Sequence, residues 1–491
     1  MGLGWRALVG LAALVAAEAF TVAPHGYSRS TGTSPRFVLA SAVTDEVQEV
    51  LRLGIKAVAV GVKGSRPIPD ELVPELIAAT ESLHASRADS SLTPARERMA
   101  SFLGTLFVKH DIVGSDEEML EAVARLQPGL SGQGRVRGCC SRAQLLAVAA
   151  PGGSNQLQEL AAKILDGENL GREEAKLLGS RLLAEDEDSE LKTLCAHVLR
   201  VRYETPEEWS GLLDAQAETI DTRPIDEATR QQLGVTNVIQ IAEPYDGVNR
   251  SNMFTPITAW HLQQQHGLLS ISQVGETSGP KYGPNLRDLA RSIGADDGAA
   301  FATSSQDIAV AKEVPKFGWF MDQAALSPPL ASWVNLRRNI IKRPFLATAE
   351  KFVDPCAADV VLASAFHPSF TAKMMTMAEQ ATDFRACIVT RRGMEGTLCF
   401  GLGKPVTLSC GVRGSDGLFE RHEFSFGPED LGLEIQMDTP LESVSADDLA
   451  AKCVRYTIDG TTGDPTLDKQ VAVTLAGIDK ALDWVLPRLS C

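Results

Sequence analysis

Three apolar runs in the second half of the chain, VTNVIQIA (235–242), DVVLAS (359–364) and RACIVT (385–390), are each followed by a turn and then by residues in helical spacing. Strands that read as near-continuous apolar runs are buried on both faces, which requires a parallel sheet with crossover helices on either side. Beyond Arg223 the chain is therefore read as α/β. In such sheets ligands are held by the loops at the C-terminal ends of strands, and candidate chemistry is sought there.

The preceding residues have a different texture. Asp45–Val60 and Pro69–Ser86 carry apolar positions three and four apart, with breakers at Gly64 and Pro67, so residues 41–127 are read as a helical extension. The Gly-rich stretch 128–155, with PGLSGQGRVRG and APGGS, is read as a linker. From 156 to 222 helices return. Asp166-Gly167-Glu168-Asn169 breaks the first, acids open the second, and Thr205-Pro206-Glu207-Glu208 supplies an N-cap, a proline at N1 and a glutamate at N3. The expected architecture is an N-terminal all-α helical domain (156–222) followed by a mainly parallel-sheet α/β domain (223–491).

Residues 1–40 read as a leader. Arg6 precedes an apolar stretch, Ala7–Ala17, too short to span a membrane, and Ala19–Val43 has no acid but contains Arg29, Arg36 and several Ser and Thr. A signal peptide followed by a Phe20-led transit peptide points to a plastid, with simple secretion or an uncleaved N-terminal anchor as the alternatives, and once cleaved the mature form has no membrane attachment. Removing the leader lowers the formal charge from −16 to about −18. So acidic a body repels polyanions, and any nucleic-acid binding needs a concentrated basic patch. The nine cysteines form no CxxC pair, which suits a reducing compartment.

The turn after Val238–Ala242 reads Asp246-Gly247-Val248-Asn249-Arg250-Ser251-Asn252-Met253-Phe254-Thr255. Strand, polar turn and helix can present backbone N–H groups to a phosphate, or can simply form a solvated loop ending in an N-cap. The order Asp246-Gly247-x-Asn249-x-x-Asn252-x-x-Thr255 resembles the pyrophosphate and ribose loop of anthranilate phosphoribosyltransferase, in the glycosyltransferase family that includes pyrimidine nucleoside phosphorylases. Ser278, Lys281 and Gly283 fall where that family has its Ser/Lys phosphate loop. Arg337-x-x-Ile340-x-x-Arg343 resembles its arginine-bearing helix, 160–212 its helical domain, and FSFGPEDLGLE (424–434) its closing stretch. Ser364–Phe370, with His367, followed by Arg385-Ala386-Cys387-Ile388-Val389 and Arg392-Gly393-Met394-Glu395-Gly396, is similar to a bacterial paralogue group that shares the fold. That group dimerises through the helical domain and is associated with nucleic-acid binding.

The resemblance implies two readings. In one, an aromatic amine attacks phosphoribosyl pyrophosphate held by Asp246, Gly247, Asn249, Asn252, Thr255, Ser278 and Lys281. Arg337 and Arg343 then hold the acceptor, and Glu395 a Mg2+ ion. In the other, a non-catalytic homodimer binds a phosphate-bearing molecule or single-stranded nucleic acid through the same cleft, with Arg391, Arg392 and His367 as further candidates. Departures weigh on the first reading. Ala242-Glu243-Pro244-Tyr245 replaces the family's Gly-Thr-Gly-Gly, Gln273-Val274-Gly275 its Lys-His-Gly, and Glu395-Gly396 its Asp-Glu metal pair. The changes remove close-approach glycines, a cation and a carboxylate where a leaving diphosphate must be neutralised. His261, in the helix after the loop, carries no signal of its own.

Overall fold

The computed structural model describes residues 35–59, 65–295, 300–341 and 343–489. Residues 1–46 and 47–491 are separate units, and the cores and the site belong to the second. Most of the leader assignment, residues 1–34, lies outside the described residues. No described helix is long and apolar enough to cross a membrane.

The helical half is one core. Its centre is the helix Thr93–Val108, in which Met99, Phe102, Leu103, Leu106 and Phe107 are fully buried. It lies against Ser189–Arg202, whose Leu191, Leu194, Cys195 and Val198 are equally buried. Gly104 permits the contact, because a Cβ there would stand 2.8 Å from the Leu194 side chain. Arg96 and Arg87 both reach Glu190 across this interface. The segments read separately as extension and helical domain thus share one interior.

The expected linker is likewise structured. Residues 128–155 contain a two-strand ladder, β1 (Val136–Arg137) with β2 (Cys140–Ser141), and the helix Arg142–Ala149. Ser141 and Gln144 cap that helix reciprocally, and Cys140, Leu145 and Val148 enter the core. The glycines supply positive-φ turns at 132, 134 and 138, which composition alone does not distinguish from a flexible tether. The capping box at Thr205–Glu208 forms as read and opens the helix Pro206–Ala217.

The α/β half is an eight-stranded sheet in the order β10-β9-β8-β7-β3-β4-β6-β5. The three apolar runs are β3 (Asn237–Ala242), β7 (Val360–Ala365) and β8 (Ala386–Arg391). The others are β4 (Leu268–Val274), β5 (Phe301–Ala302), β6 (Trp319–Asp322), β9 (Val406–Arg413) and β10 (Phe419–Phe426). All neighbours from β5 to β8 pair parallel, and β9 and β10 add an antiparallel edge. On β3, Val238 and Ala242 face the core shared with the helical half, while Ile239 and Ile241 face a second core built on the C-terminal helix Pro465–Leu489. Each such Ile or Leu contributes roughly 1.5–3 kcal/mol by leaving water. Because β4 flanks β3 on one side and β7 on the other, the strand order reverses at β3, and the loops following β3, β4 and β7 face one crevice.

Candidate functional site

A cavity of about 270 Å3 occupies that crevice and extends to the helical half. Asp246, Ser278, Arg337 and Arg343 all line it, so three segments far apart in sequence do converge. What they meet is one another. Arg343 pairs with Asp246, and Arg337 grips Glu350 through two nitrogens in a nearly fully buried ion pair while reaching Ser278 Oγ at 3.5 Å. The expected arginine helix ends at Arg337: the helix spans Pro328–Arg337, and Arg343 lies beyond it, before Pro344, where the helical conformation is disfavoured.

The loop after β3 is held backbone to backbone by residues 283–284. Val248 N donates to Pro284 O (3.0 Å) and Gly283 N to Asp246 O (3.1 Å). Gly247 has φ +71°, and a Cβ there would come within 2.3 Å of the Gly283 and Pro284 carbonyl oxygens, so its role is close packing of two turns. Tyr245, standing where the resemblance expects glycine, lays its ring over Gly275 and donates to Gln273 Oε1 (3.3 Å).

The loop amides already carry an anion. Glu395 Oε2 accepts from Asn249 N (3.0 Å), Arg250 N (2.9 Å) and Ser251 Oγ (2.9 Å), and Oε1 lies 3.5 Å from Lys281 Nζ. Burial alone would raise this carboxyl, but the Arg250 amide, Lys281, Ser251 and the Asn249 amide together hold it below the ordinary range. The resemblance assigns Glu395 to magnesium. With its oxygens committed to donors, an ammonium beside it and Gly396 in place of a second carboxylate, the residues present do not fit a hydrated divalent ion.

Other expected ligands also turn inward. Thr255 Oγ1 donates to Glu243 Oε1 (2.7 Å), Asn252 Nδ2 to Gln470 Oε1 (3.0 Å), and Asn249 Nδ2 to the Lys281 carbonyl (3.4 Å). Glu243 is fully buried, and burial raises its pKa against the pull of Thr255 and Lys351. Burial likewise lowers the Lys351 ammonium to about 8, with Glu243 opposing, and its Nζ donates to Ser364 O (2.9 Å). Lys281 spans the carbonyls of Gly247 and Glu395, and burial lowers its pKa. Arg391 donates to Thr407 Oγ1 (2.8 Å) and Arg392 is exposed at φ +72°, neither in the cavity wall. His367 borders the cavity and precedes the helix Pro368–Ala381, making no side-chain cap bond.

One side of the wall is aromatic. Trp209, Phe345, Phe366 and Phe370 line it, with Lys373 Nζ 4.5 Å from the Trp209 ring centroid and paired with Glu204. The Arg200 guanidinium lies 5.5 Å from the Phe370 ring centroid and has no carboxylate in ion-pair range among the described residues. Sequence reasoning missed Arg200, Glu204 and Glu350, which sit in helical or irregular segments where they read as ordinary surface charges.

No family model matches the chain. An uncharacterized protein of Aquifex aeolicus (strain VF5) is 26% identical over 294 residues, 60% of this chain and 82% of that protein. Among solved structures, a variant of Saccharomyces cerevisiae anthranilate phosphoribosyltransferase with magnesium bound aligns with a TM-score of 0.50 at 13% identity, covering 67% of this chain and 88% of that one. The Thermus thermophilus enzyme aligns over 69% of this chain and 100% of its own, at 17% identity and a TM-score of 0.42. The Saccharomyces cerevisiae enzyme in complex with PRPP and magnesium aligns over 71% of this chain and 95% of its own, at 13% identity and a TM-score of 0.48. Over about two thirds of the chain, the helices and the mainly parallel sheet thus have the fold of anthranilate phosphoribosyltransferase.

Proposed function

We propose that the protein is a binding relative of the anthranilate phosphoribosyltransferases that holds a small planar anion and does not transfer a phosphoribosyl group. The observation that carries this reading is Glu395 seated on the amides of Asn249 and Arg250. Transfer requires those donors for a departing diphosphate, whose charge must be neutralised as the bond to the sugar breaks. Here a diphosphate would have to evict a carboxylate and lie near Asp246 as well. The acceptor side is also altered, since Arg337 already holds Glu350.

What stays available is the aromatic wall with Arg200 at its edge. About 270 Å3 accommodates one ring bearing a carboxylate or phosphate, at the small end of ligand cavities. An arginine stacked on an aromatic ring is suited to such a group. The similarity of Ser364–Phe370 to the bacterial paralogue group supports binding over synthesis, although Arg337, Arg343 and Lys373 are spent on internal carboxylates, which leaves nucleic acid a poorer match.

Thermal shift with anthranilate and other single-ring aromatic acids tests the reading, because a ligand of the folded state raises the melting temperature. A rise lost in Arg200→Ala is expected, together with no magnesium-dependent consumption of phosphoribosyl pyrophosphate in the presence of anthranilate. Turnover would refute the proposal, and a salt-sensitive mobility shift of single-stranded DNA without any aromatic-acid effect would replace the ligand class.

A further inference from the structure

Away from the crevice, two helices bring two imidazoles and a carboxylate to one point. His261 and His266 belong to the helix Thr255–His266, and Asp479 to the C-terminal helix Pro465–Leu489. Each imidazole Nε2 lies 2.8 Å from the same oxygen, Asp479 Oδ1, and the three ligand atoms all fall within 4.8 Å of one another. Residues five apart on a helix point about 140° apart around its axis, so the convergence comes from the aspartate lying between them. β4 begins two residues after His266, which puts the cluster at the N-terminal edge of the sheet, opposite the candidate cavity.

We propose that His261, His266 and Asp479 bind a divalent transition-metal ion of the zinc class. Two neutral imidazole nitrogens and one carboxylate oxygen are a standard three-ligand set, completed by water. The ligand atoms of a tetrahedral ion bound at about 2.0–2.1 Å stand about 3.3 Å apart, so the two 2.8 Å carboxylate spacings must widen slightly while the imidazole nitrogens, within 4.8 Å of each other, adjust to the same distance. The side chains are 14%, 15% and 33% exposed, which leaves solvent a route for the ion and for the fourth ligand. With nitrogen donors and no sulfur, Zn2+, Co2+ and Ni2+ are favoured over Mg2+ or Ca2+ on one side and Cu+ on the other. Bound there, the ion ties the C-terminal helix to the helix that follows the β3 loop. The C-terminal helix already meets the β3 loop just ahead of the Thr255–His266 helix, where Asn252 bonds Gln470.

The test titrates the full-length, chelator-stripped protein with Co2+ by absorbance and with Zn2+ by calorimetry. One ion per chain is expected, with visible ligand-field bands, no near-ultraviolet thiolate band, and a raised melting temperature. His261→Ala should weaken binding more than about tenfold, since even outer-shell changes act on that scale. Asp479→Asn keeps shape and an acceptor oxygen, and provides a second variant should the first fail to fold. The proposal is overturned by no binding below about 100 μM, an affinity of about 5–6 kcal/mol. A thiolate spectrum, which would place the ion on cysteine, or unchanged affinity in a folded variant overturns it equally.

Discussion

If Glu395 is an internal substitute for a phosphate, removing it should make the protein a better phosphate binder. Its carboxylate accepts two backbone amides and a hydroxyl within 3.0 Å and is 19% exposed. Hydrogen bonds to a charged group contribute about 1.5–3 kcal/mol each, but at this exposure water takes over much of what is lost, so Glu395→Ala should reduce unfolding free energy by about 2 kcal/mol in total. A diphosphate binding the native protein must displace the same interaction, and about 2 kcal/mol corresponds to roughly thirtyfold in affinity. Calorimetry with pyrophosphate should therefore show the variant binding about thirtyfold more tightly, and pyrophosphate should restore its lost stability in urea titrations. Glu395 holds φ +52°, and alanine inherits the same backbone strain, so the comparison isolates the carboxylate. The folded-state pKa lies below the ordinary value of about 4.3, so this stabilisation is complete above about pH 5 and disappears as pH falls through the folded pKa; native and variant stabilities should converge there. Equal pyrophosphate affinities in the two proteins would refute the reasoning.

Arg337→Ala leaves Glu350 charged and buried and should cost about 3–5 kcal/mol, whereas Arg337→Met with Glu350→Leu should recover most of it; chemical denaturation of both decides whether the pair is structural. Gly247→Ala drives a methyl toward two carbonyls 2.3 Å away at positive φ, and should lower the melting temperature and abolish any thermal shift by aromatic acids, while Gly234→Ala, with nothing within 4 Å, should affect only stability. Lys351 titrates near 8 when folded and about 10.4 when unfolded, so between those values the unfolded chain binds more protons and this residue makes stability rise with pH. In Lys351→Met that increment should vanish, and parallel urea midpoints for the two proteins from about pH 8 to about pH 10 would show the assignment to be wrong.

The α/β half is readable because β3, β7 and β8 are buried on both faces and write that burial as unbroken apolar runs. β4 carries Ser270, Ser272 and Gln273 into the interior, and β10 is exposed along most of its length, so neither has that signature. Residues 128–155 mislead, since turn-rich sequence looks alike whether its glycines make a tether or a set of left-handed turns around a capped helix. At the site, the resemblance brings Asp246, Ser278, Arg337 and Arg343 to one crevice, but foresees neither the Arg343–Asp246 pair nor the carboxylates of Glu350 and Glu395. Glu395 is 114 residues from Lys281, and Glu350, only 13 residues after Arg337, sits outside that residue's helix where no periodicity pairs them; a carboxylate that fills an anion site also has the same letter as one that coordinates a metal.

The Thr93–Val108 helix carries a practical consequence for anyone dividing this chain. A cut at residue 155, which composition invites, would bare the Leu191, Leu194, Cys195 and Val198 face to water and strand Glu190 without Arg87 and Arg96. A fragment starting at 156 should then aggregate rather than behave as a free-standing core. The residues of the folded unit that precede the cut serve the remainder as a permanently docked companion.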